Sequence, residues 1–204
     1  MAATDLALFE AWRGGDRHAG GELFDRYFVP LRRFFRSKIG DDYEELVQLT
    51  FMRCTQSMDK FRAEGTFRAF LFAIAWNVLR DHLRKRSRER DRWDPNDDSV
   101  ADLDLPSPSA AAGERREHSV LLQALRRLPL NDQIVLELFY WEQMRSVEIA
   151  TVIEVPHGTV RSRLRTARER LRGHVEELSR NPQECKSTLD NLERWAEELR
   201  QGLA

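Results

Sequence analysis

At 204 residues, with 33 Lys and Arg against 34 Asp and Glu, the chain is long enough for one ordinary domain or two small helical ones, and its 41% hydrophobic content excludes disorder throughout. The longest unbroken apolar run, Phe70 to Trp76, is too short to cross a bilayer, and Met1 to Asp5 shows neither the basic nor the apolar region of a signal peptide, so a soluble, cytoplasmic protein with no membrane insertion is expected. Cys54 and Cys185 are the only cysteines, which argues against a disulfide framework and a paired-cysteine zinc site.

The formal charge of −1 hides a segregation along the chain. Residues 1–93 sum to +4, 94–117 to −5, 118–173 to +3 and 174–204 to −3. Two mildly basic blocks separated by an acidic stretch suggest a polyanion partner for each block. Of the 33 basic residues 29 are Arg, the side chain better suited to forked phosphate and guanine contacts.

In chain order, the apolar residues recur at helical spacing. Leu23, Phe24, Tyr27, Phe28, Leu31, Phe34 and Phe35 predict one amphipathic helix, with a kink or break at Pro30. Leu46, Val47, Thr50 and Phe51 predict a second. A third should run from about Phe67 to Arg88, apolar nearly all round in its first half and carrying seven basic residues between Arg80 and Arg92. The stretch 94–113, with three prolines, five aspartates and no aromatic, reads as a flexible linker. Four further helices fit the periodicity from Leu121 to Leu171, and Leu189, Leu192, Trp195 and Leu199 predict an acidic amphipathic helix in the tail. The expected architecture is therefore all-α, two small helical domains at 1–93 and 114–173 joined by the linker 94–113 and followed by an extension, 174–204.

Catalytic signatures are missing: the chain has no phosphate-binding glycine loop, no nucleophile elbow, no HExxH and no ligand spacing among its five histidines, so neither an enzyme nor a cofactor or metal is expected. The informative stretch is Ser146 to Arg168. A short helix with small Ala150, a turn at Glu154-Val155, and a second helix opening near Pro156 with Val160 and Leu164 turned inward form the helix-turn-helix pattern. The second helix presents Arg161, Ser162, Arg163, Arg165, Arg168 and Arg170 outward, which suits base edges and phosphates in a major groove.

From about residue 20 to 173, these elements together resemble the extracytoplasmic-function (ECF) sigma factors of bacterial RNA polymerase. Glu45-Leu-Val-Gln-Leu-Thr-Phe is similar to the family's clamp-binding helix, and the resemblance implies polymerase contacts from Glu45, Leu46, Gln48, Leu49, Phe51 and Arg53. The run from Phe61 to Arg86 resembles its promoter-melting segment. That likeness implies DNA contacts from Asn77, Arg80, Asp81, Arg84, Lys85 and Arg88 on the helix and from a base-accepting loop, Lys60 to Phe67, flanked by Phe61 and Phe67. Core packing and base stacking both stand for Phe61, Phe67 and Trp76. Asn77, Asp81 and Arg84 fall on one helix face, where a carboxylate can orient an amide and a guanidinium.

In the second block, Leu125 to Pro129 and Gly158-Thr-Val-Arg-Ser-Arg resemble the domain that reads the upstream promoter element. This implies a DNA-reading set of His157, Thr159, Arg161, Ser162, Arg163, Arg165, Thr166 and Arg168, with Arg163 and Arg168 assigned to phosphates or to the helix bundle. Glu154 fills the turn position where the family usually has glycine. The implied partners are core RNA polymerase, at its clamp and flap, and promoter DNA, duplex upstream and single-stranded downstream. An anti-sigma factor, or an intramolecular contact by the tail, would be the regulator. A free-standing helix-turn-helix regulator would need a dimer seam or ligand pocket, and a recombinase an alternating strand and helix domain with a nucleophilic Ser; residues 1–93 suggest neither.

Overall fold

The structure, a computed structural model, describes residues 3–40, 43–61, 65–86, 94–101 and 116–190. Among these residues the architecture is helical throughout, apart from turns and one isolated bridge. The first half contains α1 (Asp5–Arg13), α2 (Arg17–Ile39), α3 (Tyr43–Gln56), a 3-10 turn (Met58–Lys60) and α4 (Phe67–Arg86). Thr4 caps α1 by accepting from the Ala7 amide, and Asp16 caps α2 by accepting from the amides of His18 and Ala19. Gly20 lets α1 approach α2, since a Cβ there would stand 2.6 Å from the Trp12 ring.

α2 runs unbroken through Pro30, so of the kink or break expected there the break does not occur. Leu23 and Tyr27 before the proline and Leu31, Phe34 and Phe35 after it are all buried in one core. Each such side chain stabilises by roughly 1.5–3 kcal/mol, and together they outweigh the proline's cost of about 3 kcal/mol. α3 and α4 pack on this helix, and α4 buries Phe67, Leu71, Phe72, Ala75, Trp76, Val78, Leu79 and Leu83.

The second half contains α5 (Arg116–Arg126), α6 (Leu130–Tyr140), α7 (Ser146–Ile153), α8 (His157–Leu178) and α9 (Pro182–Asp190), with α5, α6 and α7 gathered on α8. α9 realises the start of the expected tail helix; Leu192, Trp195 and Leu199 lie outside the described residues. The linker expectation needs correction over 94–101, which is docked on the second half. Val100 is fully buried, and the carbonyls of Asp98 and Pro95 accept from the amides of Leu130 and Asn131 at 3.0 and 2.9 Å. Pro129 at the start of α6 offers no side-chain cap, so these carbonyls satisfy two amides that a helix N-terminus leaves unpaired. The remainder of the linker, 102–113, lies outside the described residues.

The two halves share a buried polar junction. Lys38, with no exposed surface, donates to the Phe34 carbonyl at 2.6 Å, to Ser37 Oγ at 2.9 Å and to the Glu137 carboxylate. Gln133 donates to the other Glu137 oxygen at 2.8 Å, and Arg126 donates to the carbonyls of Ser37 and Lys38 at 3.1 Å each. Burial pulls the Lys38 ammonium below its ordinary pKa, and Glu137 opposes that pull.

Two predictions follow from this packing. Removing one partner of a buried pair strands a charge, so Glu137→Ala should lower unfolding free energy by about 3–5 kcal/mol in urea titration, with the Lys38→Met/Glu137→Leu double variant losing much less. Glu154 sits in left-handed backbone, φ 56° and ψ 47°, at the turn between α7 and α8. Glu154→Gly should raise stability by up to about 1 kcal/mol, seen as a higher melting temperature.

Candidate nucleic-acid interface

α4 and α8 carry the charged faces. On α4, Asn77, Asp81, Arg84 and Lys85 are exposed, while Arg80 is half-buried with its guanidinium 5.7 Å from the Trp76 ring centroid. Asp81 pairs with Arg53 of α3 at 2.9 Å, so a residue expected to face DNA and one expected to face polymerase are joined. This ties the two helices across their shared edge, where the sequence had suggested that Asp81 orients its own helix neighbours. Arg88 lies outside the described residues.

The aromatic residues near this face are core. Trp76 is 2% exposed, Phe67 3% and Phe61 7%. Phe9 packs on Phe61 and Phe67 with ring centroids 4.6 and 5.5 Å apart, and Phe70 joins the same cluster. Of the two roles left open for Phe61, Phe67 and Trp76, this placement selects core packing, because all three rings are buried and present no face to a base, which removes them from the DNA-contacting set.

α3 divides similarly. Glu45 and Gln48 are exposed, Leu49 and Phe51 half-buried, and Leu46 is buried among the helices, so Leu46 supports the surface from beneath where the resemblance placed it in contact. Phe51 stacks on Phe24 at 4.2 Å. Met52, missed in the sequence, is 51% exposed on the face that carries Glu45 and Gln48. Its signal in the sequence was only its spacing.

On α8, Arg161, Ser162 and Arg165 are exposed along one edge, and Thr166 is half-buried beside them. Two arginines are committed elsewhere. Arg163 donates to Asn96 at 3.2 Å and stands 4.0 Å from Asp132, and Arg168 donates to the Tyr140 hydroxyl at 2.9 Å with its guanidinium 5.2 Å from the Phe139 ring centroid. Arg170 also pairs with Asp132, at 2.6 Å. Burial pushes the Asp132 carboxyl above its ordinary range, and Arg170 and Arg163 pull against that shift. His157 Nε2 and Ser146 Oγ lie 2.7 Å apart, tying the first turns of α7 and α8, and Thr159 is half-buried near the start of α8. Asn96, Asp132 and Tyr140 thus fix the arginine face, and no local sequence signal identifies them, since the residues they hold lie 28 to 67 positions away.

Two helical halves, one with an arginine-faced helix-turn-helix and one with a basic helix end, define a helical DNA-binding protein. The sigma-70 region 2 family matches residues 23–89, and the sigma-70 region 4 family matches residues 118–171. RNA polymerase sigma factor NccH of Alcaligenes xylosoxydans xylosoxydans is 30% identical over 174 residues, covering 83% of this chain and 93% of the relative. The ECF RNA polymerase sigma-E factor of Haemophilus influenzae is 27% identical over 86% of this chain and 97% of its own. The solved structure of CnrH in complex with the cytosolic domain of CnrY superposes with a TM-score of 0.63 at 25% identity, covering 86% of this chain and 99% of that one. The sigma factor RpoE bound to the anti-sigma factor NepR from Bartonella quintana gives 0.58 at 26% identity, over 72% and 91%. The chain belongs to the ECF sigma factors of bacterial RNA polymerase, and acts in transcription initiation. Among the described residues no helix is long and apolar enough to cross a membrane.

The commitments of α8 separate its arginines experimentally. Arg168→Ala removes a hydrogen bond and an arginine-aromatic contact, and should cost about 1–2 kcal/mol of stability in denaturant titration. Arg161→Ala, in exposed surface, should fall within about 0.5 kcal/mol of the parent.

Proposed function

We propose that this sigma factor is a cytoplasmic, dissociable promoter-specificity subunit that works without chemistry of its own, the phosphodiester bond being made by the polymerase. Its functional division follows the two halves, with 1–93 serving polymerase binding and the downstream element and 114–173 the upstream element. Core polymerase is met by the exposed edge of α3, through Glu45, Gln48 and Met52, with Leu49 and Phe51 lending apolar area at the rim. The related RpoE structure, which holds the anti-sigma factor NepR, supports an anti-sigma partner here as well.

The upstream element is read in duplex by α8. Arg161 and Arg165 are free of the bundle on their exposed edge, and a bidentate guanidinium on guanine discriminates by about 1–3 kcal/mol per base pair. Ser162 and Thr166, each next in sequence to one of them, supply shorter hydrogen-bonding groups. Arg163, Arg168 and Arg170, held by Asn96, Asp132 and Tyr140, set the height and tilt of the helix over the backbone, so phosphate contacts position and base contacts specify. Downstream, Asn77 and the Arg84–Lys85 end of α4 engage the opened strand, with Arg53 and Asp81 fixing the orientation of α4. Strand opening costs a few kcal/mol per unstacked base, and contacts made only with the open strand offset it.

The observation that carries this reading is the sorting of α8: Arg161 and Arg165 lie exposed on one edge, while Arg163, Arg168 and Arg170 are tied to Asn96, Tyr140 and Asp132. Binding-site selection on the holoenzyme checks it. Arg161→Ala and Arg165→Ala should each relax preference at one base pair by roughly tenfold to a hundredfold. Uniform losses on all sequences would assign both side chains to the phosphate backbone. Asn77→Ala should reduce open-complex formation, followed by permanganate reactivity of unpaired thymines, far more than it reduces binding to core polymerase.

A further inference from the structure

α8 and α9 run side by side. Only residues 179–181 join them, and one groove of about 920 Å³ is lined from Ser179 and Pro182 at that turn to Leu171 on α8 and Leu189 on α9, so the two helices are antiparallel neighbours. Its apolar surface comes from Leu171, which is buried, and from Tyr140, Cys185 and Leu189, which are half-buried. Arg168 and Arg172 stand on the α8 wall. These two share a helix face with Arg161 and Arg165, the four falling at i, i+4, i+7 and i+11. The groove therefore opens onto the edge proposed above to read duplex DNA. On that edge Arg165 pairs, among the described residues, only with Glu169, at 4.0 Å and with 81% of its side chain exposed.

α9 has a defined inward face. Thr188 is fully buried, and Cys185 and Leu189 beside it are half-buried. In the sequence that face continues with Leu192, Trp195 and Leu199, four, seven and eleven positions beyond Thr188, and no proline or glycine intervenes before Gly202. A stripe of two leucines and a tryptophan belongs against apolar surface, and the groove offers one on the same side. Counted from the middle of the turn, positions 192, 195 and 199 of a continuing helix fall level with Arg168, Arg165 and Arg161 of α8. Glu193 and Glu198, flanking the stripe by helical phase, fall level with Arg168 and Arg161, the two ends of this arginine edge. Arg194 and Arg200 lie among the acids, so apolar seating contributes more to such a contact than net charge does.

We propose that residues 191–204, which lie outside the described residues, continue α9 along α8 and seat their apolar side in this groove, covering the Arg161 and Arg165 edge. The chain's own C-terminal segment and the upstream duplex then compete for one face of α8. The competition rests on the proposed function; the contact itself does not.

The contact is measured first, without DNA, on the full-length chain. A nitroxide is placed at Glu169→Cys in a Cys185→Ser background, with the fully buried Cys54 left unlabelled, and the tryptophan side chains are labelled with nitrogen-15. The label should broaden the Trp195 indole N–H signal, which is assigned by its loss in Trp195→Phe. Leu192→Asp/Leu199→Asp should restore that signal in a protein that still melts cooperatively. A Trp195 signal untouched by the label would overturn the proposal. So would broadening that arises only between chains, seen by mixing nitroxide-labelled protein with nitrogen-15 protein, which would assign the groove to a second copy. The competition is measured next, with a fluorescent duplex carrying the site recovered by binding-site selection. Leu192→Asp/Leu199→Asp should bind it about tenfold more tightly than wild type, as expected if the segment leaves the edge open about a tenth of the time. Equal affinity would overturn the covering of the edge. If the double variant does not fold, adding the duplex to the wild-type nitroxide protein should relieve the broadening of Trp195, and broadening that persists in the bound state would overturn the competition.

Discussion

A lysine ammonium with no exposed surface must be answered by an acid, and in this molecule the acid comes from the other half of the chain. Lys38 near the end of α2 and Glu137 in the middle of α6 form a pair that neither half can satisfy alone. Around it Ser37, Gln133 and Arg126 complete the hydrogen bonds, so the register of the two halves is fixed by polar complementarity at one point. The packing of α7 along α4, and the approach of Glu142 to Arg33, are geometric consequences of that register. Such a junction contributes specificity of arrangement more than net stability, because much of its attraction replaces lost hydration.

The segment 94–101 adds a second constraint. Its carbonyls cap α6, its Val100 fills the core, and its Asn96 holds Arg163 of the recognition helix. While it stays docked, only residues 87–93 separate Arg86 at the end of α4 from the second half, a reach of at most roughly 28 Å. Undocking would lengthen the tether several-fold and would also release Arg163. The linker therefore couples how far the halves can separate to how firmly the recognition helix is held.

Much of the fold was legible because helical periodicity is a local signal. The spacing of Leu23, Tyr27, Leu31, Phe34 and Phe35 gave α2, and the apolar first half of α4 was visible in its near-continuous run. The break allowed for at Pro30 does not occur, because proline's cost is local and its compensation, burial on both sides, is tertiary. The stretch 94–101 misled for a related reason: its composition forms no core of its own, yet it borrows one from α6. At the interface, charge and helical phase identified Arg161, Arg165 and Asn77 as surface residues, but the family resemblance placed Leu46 in contact with polymerase against its apolar helical spacing, and the sequence left Phe61, Phe67 and Trp76 undecided. Asn96, Asp132, Tyr140 and the acids Glu137, Glu142 and Glu148 were unreadable, since each has meaning only through a partner far away in sequence.

The central claim is that polar pairing between the halves holds them in one arrangement. A distance distribution between one spin label on exposed α3, at Thr55, and one on exposed α8, at Glu169, measured by double electron-electron resonance on the wild type and on Glu137→Ala, tests it most directly. The account predicts a single narrow distance for the wild type and a broadened distribution for Glu137→Ala. A broad distribution in the wild type, or an equally narrow one in a folded Glu137→Ala protein, would contradict it.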